Sequence, residues 1–403
     1  MDPFARKKRI IYITIMLAIA LIAAVFYLWH SIAPPAPPAG EYPGGVIERI
    51  FGRIFGAPEP SPPPPMLPPE GLSPPPPTDE QLKINEQKQL LQLTDFAVIS
   101  PALDTKEELI LFYKKEGGDL MASALHSTVP EKRSHLTVVG LLGALWAPTK
   151  TRALLHYLDQ EDMKSFLHIG TSTVVLFPFN IKSSSWSPSG KEVAYTLLKD
   201  NQLDLIITDA SGKNARVIFR TPLTDTHIQW LTNDTFLFVG APSFRAEGYA
   251  FIYHRTSGAF TKIIGPLRGL MTRASPDGAH ILFSYVNSGG KNLTLSRYAI
   301  QKDELVNLDI ATLPEKCAWA HTDALYCAVP RFITSEQPWP DQYLRGEINS
   351  QDKIVRITPK DNTIETIFDE GAYDVQDLFI TADENILGFV NRYDGTLWRI
   401  KIK

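Results

Sequence analysis

Residues 186–219 read WSPSGKEVAYTLLKDNQLDLIITDASGKNARVIF and contain one complete structural unit. Proline early in a tight turn presets φ near about −65°, and glycine late in the turn accepts a positive φ. Short apolar runs between such turns are typical of β-strands. The pattern predicts a strand ending at Trp186, a turn over 187–190, strands over Glu192–Leu197 and Leu203–Thr208, a turn over 209–212 and an outer strand over Ala215–Phe219.

The same pattern recurs along the chain as an aromatic or apolar residue, a tight turn and an apolar strand. The units begin as ISPALDTKEELILFY at 99, WAPTKTRALLHYL at 146, WSPSGKEVAYTLL at 186, WLTNDTFLFVG at 230, ASPDGAHILFSYV at 274, WAHTDALYCAV at 319 and FITADENILGFV at 379. Their third positions are spaced by 47, 40, 44, 44, 45 and 60 residues. A period of about 40–47 residues with four strands per unit is typical of β-propeller blades.

The longest interval is explained by an insertion over residues 331–351, between the second and third strands of the sixth unit. Seven units predict an all-β, seven-bladed β-propeller. Because the units at 230, 319 and 379 lack the Ser-Pro-x-Gly turn, six or eight blades remain open.

These units resemble TolB-type, WD-repeat-like propeller repeats. The resemblance rests on Trp186-Ser187-Pro188-Ser189-Gly190 followed by Asp209, Gly212 and Asn214, and on Ser275-Pro276-Asp277-Gly278. It covers about 320 residues, or four fifths of the chain. It implies a fold and says little about function, because such repeats have many unrelated roles.

The two ends of the repeat region predict how the ring closes. The last unit supplies only three strands, over Val375–Ile380, Ile386–Val390 and Thr396–Ile402, before the sequence ends. We expect Gln87–Leu93 to add the fourth strand, so that the N-terminal segment completes the C-terminal blade and no inner edge stays open.

The N-terminal region predicts a membrane anchor. Residues 10–29 are 20 consecutive residues without a formal charge, enough at about 1.5 Å per residue to cross a hydrocarbon core of about 30 Å. Four basic residues directly precede this segment: Arg6, Lys7, Lys8 and Arg9. The first basic residue after it is Arg49. The positive-inside rule therefore places the N-terminus in the cytoplasm and the propeller outside the plasma (cytoplasmic) membrane. A cleaved signal peptide is the alternative, with a normally shorter apolar region.

The segment between anchor and repeats is divided in two. Residues 44–56 (GGVIERIFGRIFG) place apolar residues at helical spacing, so this segment either lies on the outer leaflet or docks on the folded domain or a neighbouring chain. Residues 58–77 favour polyproline II, and 17 of the 32 prolines lie between Pro34 and Pro77. We expect a cytoplasmic tail over 1–9, a signal anchor over 10–30, a linker over 31–84 and the propeller over 85–403.

Composition excludes several function classes. Forty basic residues against 44 acidic ones leave a net charge of −4, without the basic excess that nucleic-acid binding needs. The two cysteines exclude a disulfide-dense scaffold. Cys317 and Cys327 face each other across a predicted hairpin centred near residue 322, so either a cross-strand disulfide or two buried thiols would fit.

No sequence motif indicates catalysis. The chain lacks Gly-x-Ser-x-Gly, a phosphate loop, a dinucleotide fingerprint and His-Glu-x-x-His. We therefore predict no catalytic residue, cofactor or metal site. The histidines are scattered, and Asp204, Asp209 and Asp277 suit turn or strand-edge positions better than calcium ligands.

The best candidate for a binding site is the insertion, which carries aromatic and arginine residues typical of interface anchors. These candidates are Arg331, Phe332, Trp339, Tyr343 and Arg345. Alternatively, Trp339 and Phe332 fold back and cover the blade edge. The sequence favours a non-catalytic interaction or scaffold module whose partners are the membrane and another envelope protein. A glycan- or peptide-binding or processing propeller with its site in the central channel is the alternative.

Overall fold

The computed structural model describes residues 77–106, 108–322, 324–333 and 338–402. The predicted basic tail, the anchor over 10–30 and nearly all of the linker over 31–84 lie outside these ranges. Within the ranges, no helix is both long and apolar enough to cross a membrane.

The described residues fold mainly into β-strands, which confirms the all-β prediction. The first sheet contains β2 (Val98–Asp104), β3 (Leu109–Lys114), β4 (Leu120–Ala124) and β5 (Glu131–Lys132). The second contains β6 (Leu141–Trp146), β7 (Arg152–Asp159), β8 (Asp162–Ile169) and β9 (Thr173–Leu176). The third contains β10 (Ser183–Trp186), β11 (Glu192–Lys199), β12 (Gln202–Asp209) and β13 (Arg216–Thr221).

A seven-stranded sheet follows in the chain. It contains β14 (Thr226–Trp230), β15 (Thr235–Gly240), β16 (Glu247–His254), β17 (Phe260–Ala274), β18 (His280–Val286), β19 (Thr294–Ala299) and β20 (Glu304–Asn307). The first part of β17 pairs with β16 and its last part pairs with β18. The 15-residue strand β17 therefore ends one four-stranded group and begins the next. The count of seven blades stays a prediction here.

Two further sheets complete the fold. One contains β21 (Cys317–Trp319), β22 (Leu325–Pro330), β23 (Asp352–Thr358) and β24 (Thr363–Phe368). The closing sheet has the order β1 (Leu90–Gln92), β27 (Leu397–Lys401), β26 (Ile386–Asn391) and β25 (Val375–Ile380). The helical elements are α1 (Asp79–Gln87), a 3-10 helix (Pro314–Lys316) and α2 (Asp341–Leu344).

Local turn chemistry explains the third sheet, whose strands lie where the sequence predicts them. The Asp209 carboxylate accepts hydrogen bonds from Ser211 N at 2.9 Å, Lys213 N at 3.0 Å and Asn214 Nδ2 at 2.8 Å. Gly212 and Asn214 have positive φ values of 75° and 58°. The Asp-x-x-Gly-x-Asn spacing is therefore the requirement of one tight outer turn.

The inner strands of successive groups contact each other in chain order. Hydrogen bonds between neighbouring inner strands join Trp146 Nε1 to Ser100 O (2.8 Å), Trp186 Nε1 to Leu145 O (2.8 Å), Trp230 N to Ser185 Oγ (2.9 Å), Ala274 N to Gln229 Oε1 (2.8 Å) and Arg273 Nη1 to Cys317 O (2.5 Å). On β25, Phe379 packs against the cluster that contains Val98 of β2. The inner strands thus surround a central channel. We call the end with the turns after the inner strands the turn face, and the end with residues 331–351 the insertion face.

The chain closes where the sequence predicts it. Strand β1 pairs antiparallel with β27, with Leu90 opposite Ile400. The predicted strand over Gln87–Leu93 is right only in its second half, because α1 extends to Gln87. The Thr78 side chain accepts the Gln81 N–H at 3.3 Å and caps this helix.

Arg399 of β27 holds α1 against the closing sheet. Its side chain is 0% exposed. The guanidinium donates to Lys88 O at 2.8 Å, to Leu125 O at 3.1 Å and to Asn85 O. One buried cation therefore ties the two ends of the described chain to the first sheet.

Replacing Arg399 by methionine should lower the free energy of unfolding by roughly 2–4 kcal/mol, because one buried and two partly buried carbonyl groups lose their charged donor. Urea denaturation of Arg399→Met beside the unchanged chain measures this loss. The matched control is Arg216→Met, since the Arg216 side chain is 55% exposed in its ion pair with Glu192; its cost should stay below about 1 kcal/mol. Equal effects of both variants would contradict the assignment.

Candidate functional site

The five candidate residues of the insertion differ in their exposure to solvent. Phe332 is 77% exposed and Arg345 is exposed beside Glu347. Arg331 is half-buried and donates to Asp369 Oδ1 at 2.6 Å and to Gly371 O at 2.6 Å. Trp339 and Tyr343 lie in the interior. The insertion starts after β22 and ends before β23, as the sequence predicts.

Trp339 and Tyr343 of the candidate interaction loop are buried. Trp339 is 2% exposed and stacks on Tyr343, with ring centroids 4.9 Å apart. Both rings belong to an apolar cluster with Met271 and Leu313. Trp339 thus folds back onto the protein, because burial of a large apolar ring is favourable, whereas Phe332 is exposed. The binding role of the loop stays a prediction.

Tyr343 connects the insertion to a buried polar network. Its hydroxyl donates to Asp374 Oδ1 at 2.7 Å. The ammonium group of Lys316, which is 1% exposed, donates to Asp374 Oδ1 at 2.7 Å, Asp352 Oδ2 at 2.6 Å and Ser350 Oγ at 2.9 Å. The network joins the 3-10 helix, the end of the insertion and the start of β25.

Charge balance makes this network tolerable in the interior. Lys316 and Arg392 supply two positive charges against the carboxylates of Asp352 and Asp374, and the Arg392 guanidinium lies 3.7 Å from Asp374 Oδ2. Burial raises the pKa of Asp352, an effect that the nearby Lys316 opposes. Burial likewise raises the pKa of Tyr343. Such a paired, hydrogen-bonded network fixes one conformation and is typical of a structural role.

The central channel provides the candidate functional site. A cavity of about 790 Å³ opens at the turn face, with Pro101, Pro148 and Pro276 among its walls. A second cavity of about 510 Å³ lies toward the insertion face, with Tyr343 and Leu344 in its wall. Both are lined by Arg273 and Asp377, so these residues lie where the two cavities meet. We call Arg273, Glu315 and Asp377 the channel neck.

The channel neck carries charges without a direct ion pair. Arg273 donates to the backbone oxygens Glu315 O at 3.1 Å and Cys317 O at 2.5 Å. Among the described ion pairs within 4.0 Å, none joins Arg273 to Glu315 or Asp377. Burial in the ring lowers the pKa of Arg273 and raises the pKa of both carboxyl groups. Glu315 and Asp377 are nonetheless exposed to solvent.

The lining of the turn-face cavity carries charges of both signs. Lys106, Lys150 and Asp277 are among its lining residues. Burial lowers the pKa of Lys150, partly offset by Asp104. Trp319 stacks on His280 at the wall, with ring centroids 6.1 Å apart. In the described ranges, no group of three or more His, Cys, Asp and Glu residues is arranged to hold a metal ion.

The cysteines lie beside this cavity. Cys317 of β21 pairs in register with Cys327 of β22, with their Cα atoms 4.0 Å apart. The structure joins them by a disulfide. The bridge closes the hairpin that carries Trp319 and anchors it next to the channel neck.

Sequence reasoning missed both polar clusters. Lys316 and Arg273 look like ordinary surface residues in a strand-rich chain, and their partners lie far away in sequence. The only local signal was Pro314-Glu315-Lys316 directly before Cys317, which places two charges at the start of a short inner strand.

Substitution of Asp377 tests the electrostatics of the channel neck. Its raised pKa means that the folded state binds more protons than the unfolded state between the ordinary value of about 3.9 and the raised one. Stability should therefore fall as pH rises through this window. Asp377→Asn keeps the shape and tolerates the φ of 51°, so it should raise the melting temperature at pH 7 and lose this gain toward pH 4.

The control for this prediction is Asp361→Asn. Asp361 is exposed, and hydrogen bonds from Thr363 lower its pKa. Its replacement should therefore give no stabilisation at pH 7. Thermal denaturation of both variants across this pH range is the measurement, and a destabilised Asp377→Asn at pH 7 would contradict the neck electrostatics.

Comparison with known proteins supports the fold. No protein-family model and no curated protein matches the chain. The β-propeller domain of the Trilobed protease from Pyrococcus furiosus is similar at a TM-score of 0.54 and 12% identity, covering 76% of this chain and 97% of that chain. An oligogalacturonate lyase in complex with manganese has a TM-score of 0.53 and 11% identity, covering 78% and 93%. TolB from Acinetobacter baumannii has a TM-score of 0.45 and 13% identity, covering 68% and 64%. At these identities the likeness concerns the fold alone, and the described part of the chain is a β-propeller.

Proposed function

We propose that this chain is a membrane-anchored, extracytoplasmic β-propeller that acts as a non-catalytic protein-interaction module of the cell envelope. The observation that carries the proposal is the open cavity of about 790 Å³ at the turn face, which turns from several sheets line together. A mouth of this kind, with charges of both signs and an aromatic wall, suits recognition of a polar partner segment. We therefore propose the binding site at the channel mouth, and not at the insertion that the sequence favoured.

The ring in this proposal has seven blades. Strand β17 serves as the outer strand of one blade and the inner strand of the next, so the seven-stranded sheet counts as two blades. The inner strands β2, β6, β10, β14, β21 and β25, together with the end of β17, then give one inner strand for each repeat unit.

The cellular location rests on the sequence. The uncharged segment 10–29 with basic residues before it supports a single-pass anchor with the propeller outside the cytoplasmic membrane. The prolines over 58–77 support a semi-rigid spacer of roughly 60 Å between the anchor and the propeller.

A glycan- or peptide-processing enzyme is the second candidate. The observation that favours it is the pair of carboxyl groups with raised pKa at the channel neck, Glu315 and Asp377, because perturbed acids in a cleft are typical of acid–base sites.

Site-specific crosslinking tests the interaction function. A photo-crosslinking residue at Lys106, an exposed position of the turn-face cavity, should trap one stoichiometric partner in intact cells. The matched position is Phe332, which is exposed at the insertion face. A partner trapped only from Phe332 would return the site to the insertion. No partner from either position would contradict the interaction function and direct attention to the channel-neck variants Glu315→Gln and Asp377→Asn.

Protease added to intact cells tests the location. The propeller should be removed, while an epitope at the N-terminus stays protected, because only residues 1–9 are assigned to the cytoplasm. Permeabilised cells provide the control in which the epitope is lost as well. A propeller that is protected in intact cells would contradict the proposed location.

A further inference from the structure

The exposed apolar residues of the propeller are concentrated on the second sheet. The described residues 139–179 contribute six of the large exposed apolar side chains, which are Val139, Leu142, Leu158, Val174, Leu176 and Phe179. Two backbone hydrogen bonds bring parts of this set near each other: Leu158 N donates to Gly140 O at 2.9 Å, next to Val139, and Asn180 N donates to Met163 O at 3.0 Å, next to Phe179. A concentration of exposed apolar side chains on one part of a protein surface indicates a protein interface. We call these six residues the second-sheet patch.

Strand β9 forms the outer border of this patch. It ends the order β6–β7–β8–β9, so its outer edge pairs with no other strand in the described part of the chain. Val175 packs toward the third sheet, whereas Val174 and Leu176 are exposed, with Leu176 at 73%. The edge therefore offers unpaired backbone groups together with apolar side chains.

The charge pattern of β9 differs from that of other outer strands. No charged residue occurs from Gly170 to Ile181. The outer strands β5, β13, β20 and β24 each carry at least one charged residue: Glu131 and Lys132, Arg216 and Arg220, Glu304, and Glu365, respectively. Charged residues are the usual protection of a free edge. Only β1 shares this lack of charge, and it is three residues long.

We propose that β9 and the second-sheet patch are the interface for a second copy of this chain. A two-fold axis beside β9 pairs it antiparallel with its own copy and joins two four-stranded sheets into one of eight strands. Around such an axis each side chain meets the same region of the partner copy, so a charged edge would place like charges together. The uncharged edge of β9 removes this repulsion, and the apolar side chains beside it supply the contact energy that a four-residue strand lacks.

The surrounding charges are compatible with self-pairing. Lys164 lies 5.3 Å from the Phe179 ring centroid, but its ammonium group also pairs with Asp159 Oδ2 at 2.5 Å. The ammonium charge of Lys164 is thus paired within the chain. No residue of β9 lines the turn-face cavity, and the proposed interface does not depend on the proposed function.

Light scattering of the purified full-length chain in detergent tests the proposal. The unchanged chain should be dimeric, and Leu176→Glu should raise the dissociation constant at least about tenfold. The melting temperature of the diluted, monomeric chain should stay unchanged, because Leu176 is exposed. The matched control is Leu305→Glu. Leu305 lies on the outer strand β20, is 60% exposed and should leave the dimer intact when replaced.

Mixing two variants makes the test specific for self-pairing. Leu176→Glu and Leu176→Lys should each be monomeric alone, while an equimolar mixture should recover the dimer, because opposite charges then meet across the two-fold axis. A monomeric unchanged chain would overturn the proposal. A dimer whose dissociation constant is unchanged by Leu176→Glu would also overturn it, because the contact would then lie elsewhere. Binding of a synthetic peptide of residues 44–56 to a monomeric chain would instead assign the patch to that segment.

Discussion

The pairing of β1 with β27 is the constraint on which the rest of the propeller depends. Leu90 and Ile400 are opposite each other, although they are separated by nearly the whole folded sequence. Without this pairing the closing sheet would have only three strands, and the contact of β25 with β2 would have no support from its outer side. The channel exists only while the inner strands stay in a ring. The proposed binding at its mouth therefore depends on the pairing of β1 with β27 at the outer rim.

The sequence predicted the strands of the third and closing sheets because their turns are specified locally. A turn such as Asp209–Asn214 depends on its own carboxylate and on two positive φ angles, which the residue types disclose. Helix α1 was missed although its signal is also local, since Thr78, Asp79 and Glu80 form a good N-terminal cap and first turn. Its weak apolar pattern and the prolines before it favoured a linker.

The candidate site was harder to predict, for a physical reason. Aromatic residues on a long loop look alike whether they meet a partner or their own protein, because composition does not report what a ring packs against. Trp339 is buried because it packs in one cluster with Met271 of β17 and with Leu313, which precedes the 3-10 helix. The buried environment of Lys316 could not be predicted for the same reason, because its partners Asp352 and Asp374 become its neighbours only after two sheets have formed.

The two charged clusters near the channel differ in how their charges are balanced. Around Lys316, carboxylates, a hydroxyl group and a backbone carbonyl satisfy the ammonium group within 3.0 Å. At the channel neck, Arg273 binds backbone oxygens and leaves the two carboxyl groups facing the channel without a direct cationic partner within 4.0 Å. Each of these acids costs free energy when it is ionised in a confined channel. A cationic or hydrogen-bond-donating group bound at the neck would therefore stabilise their ionised forms.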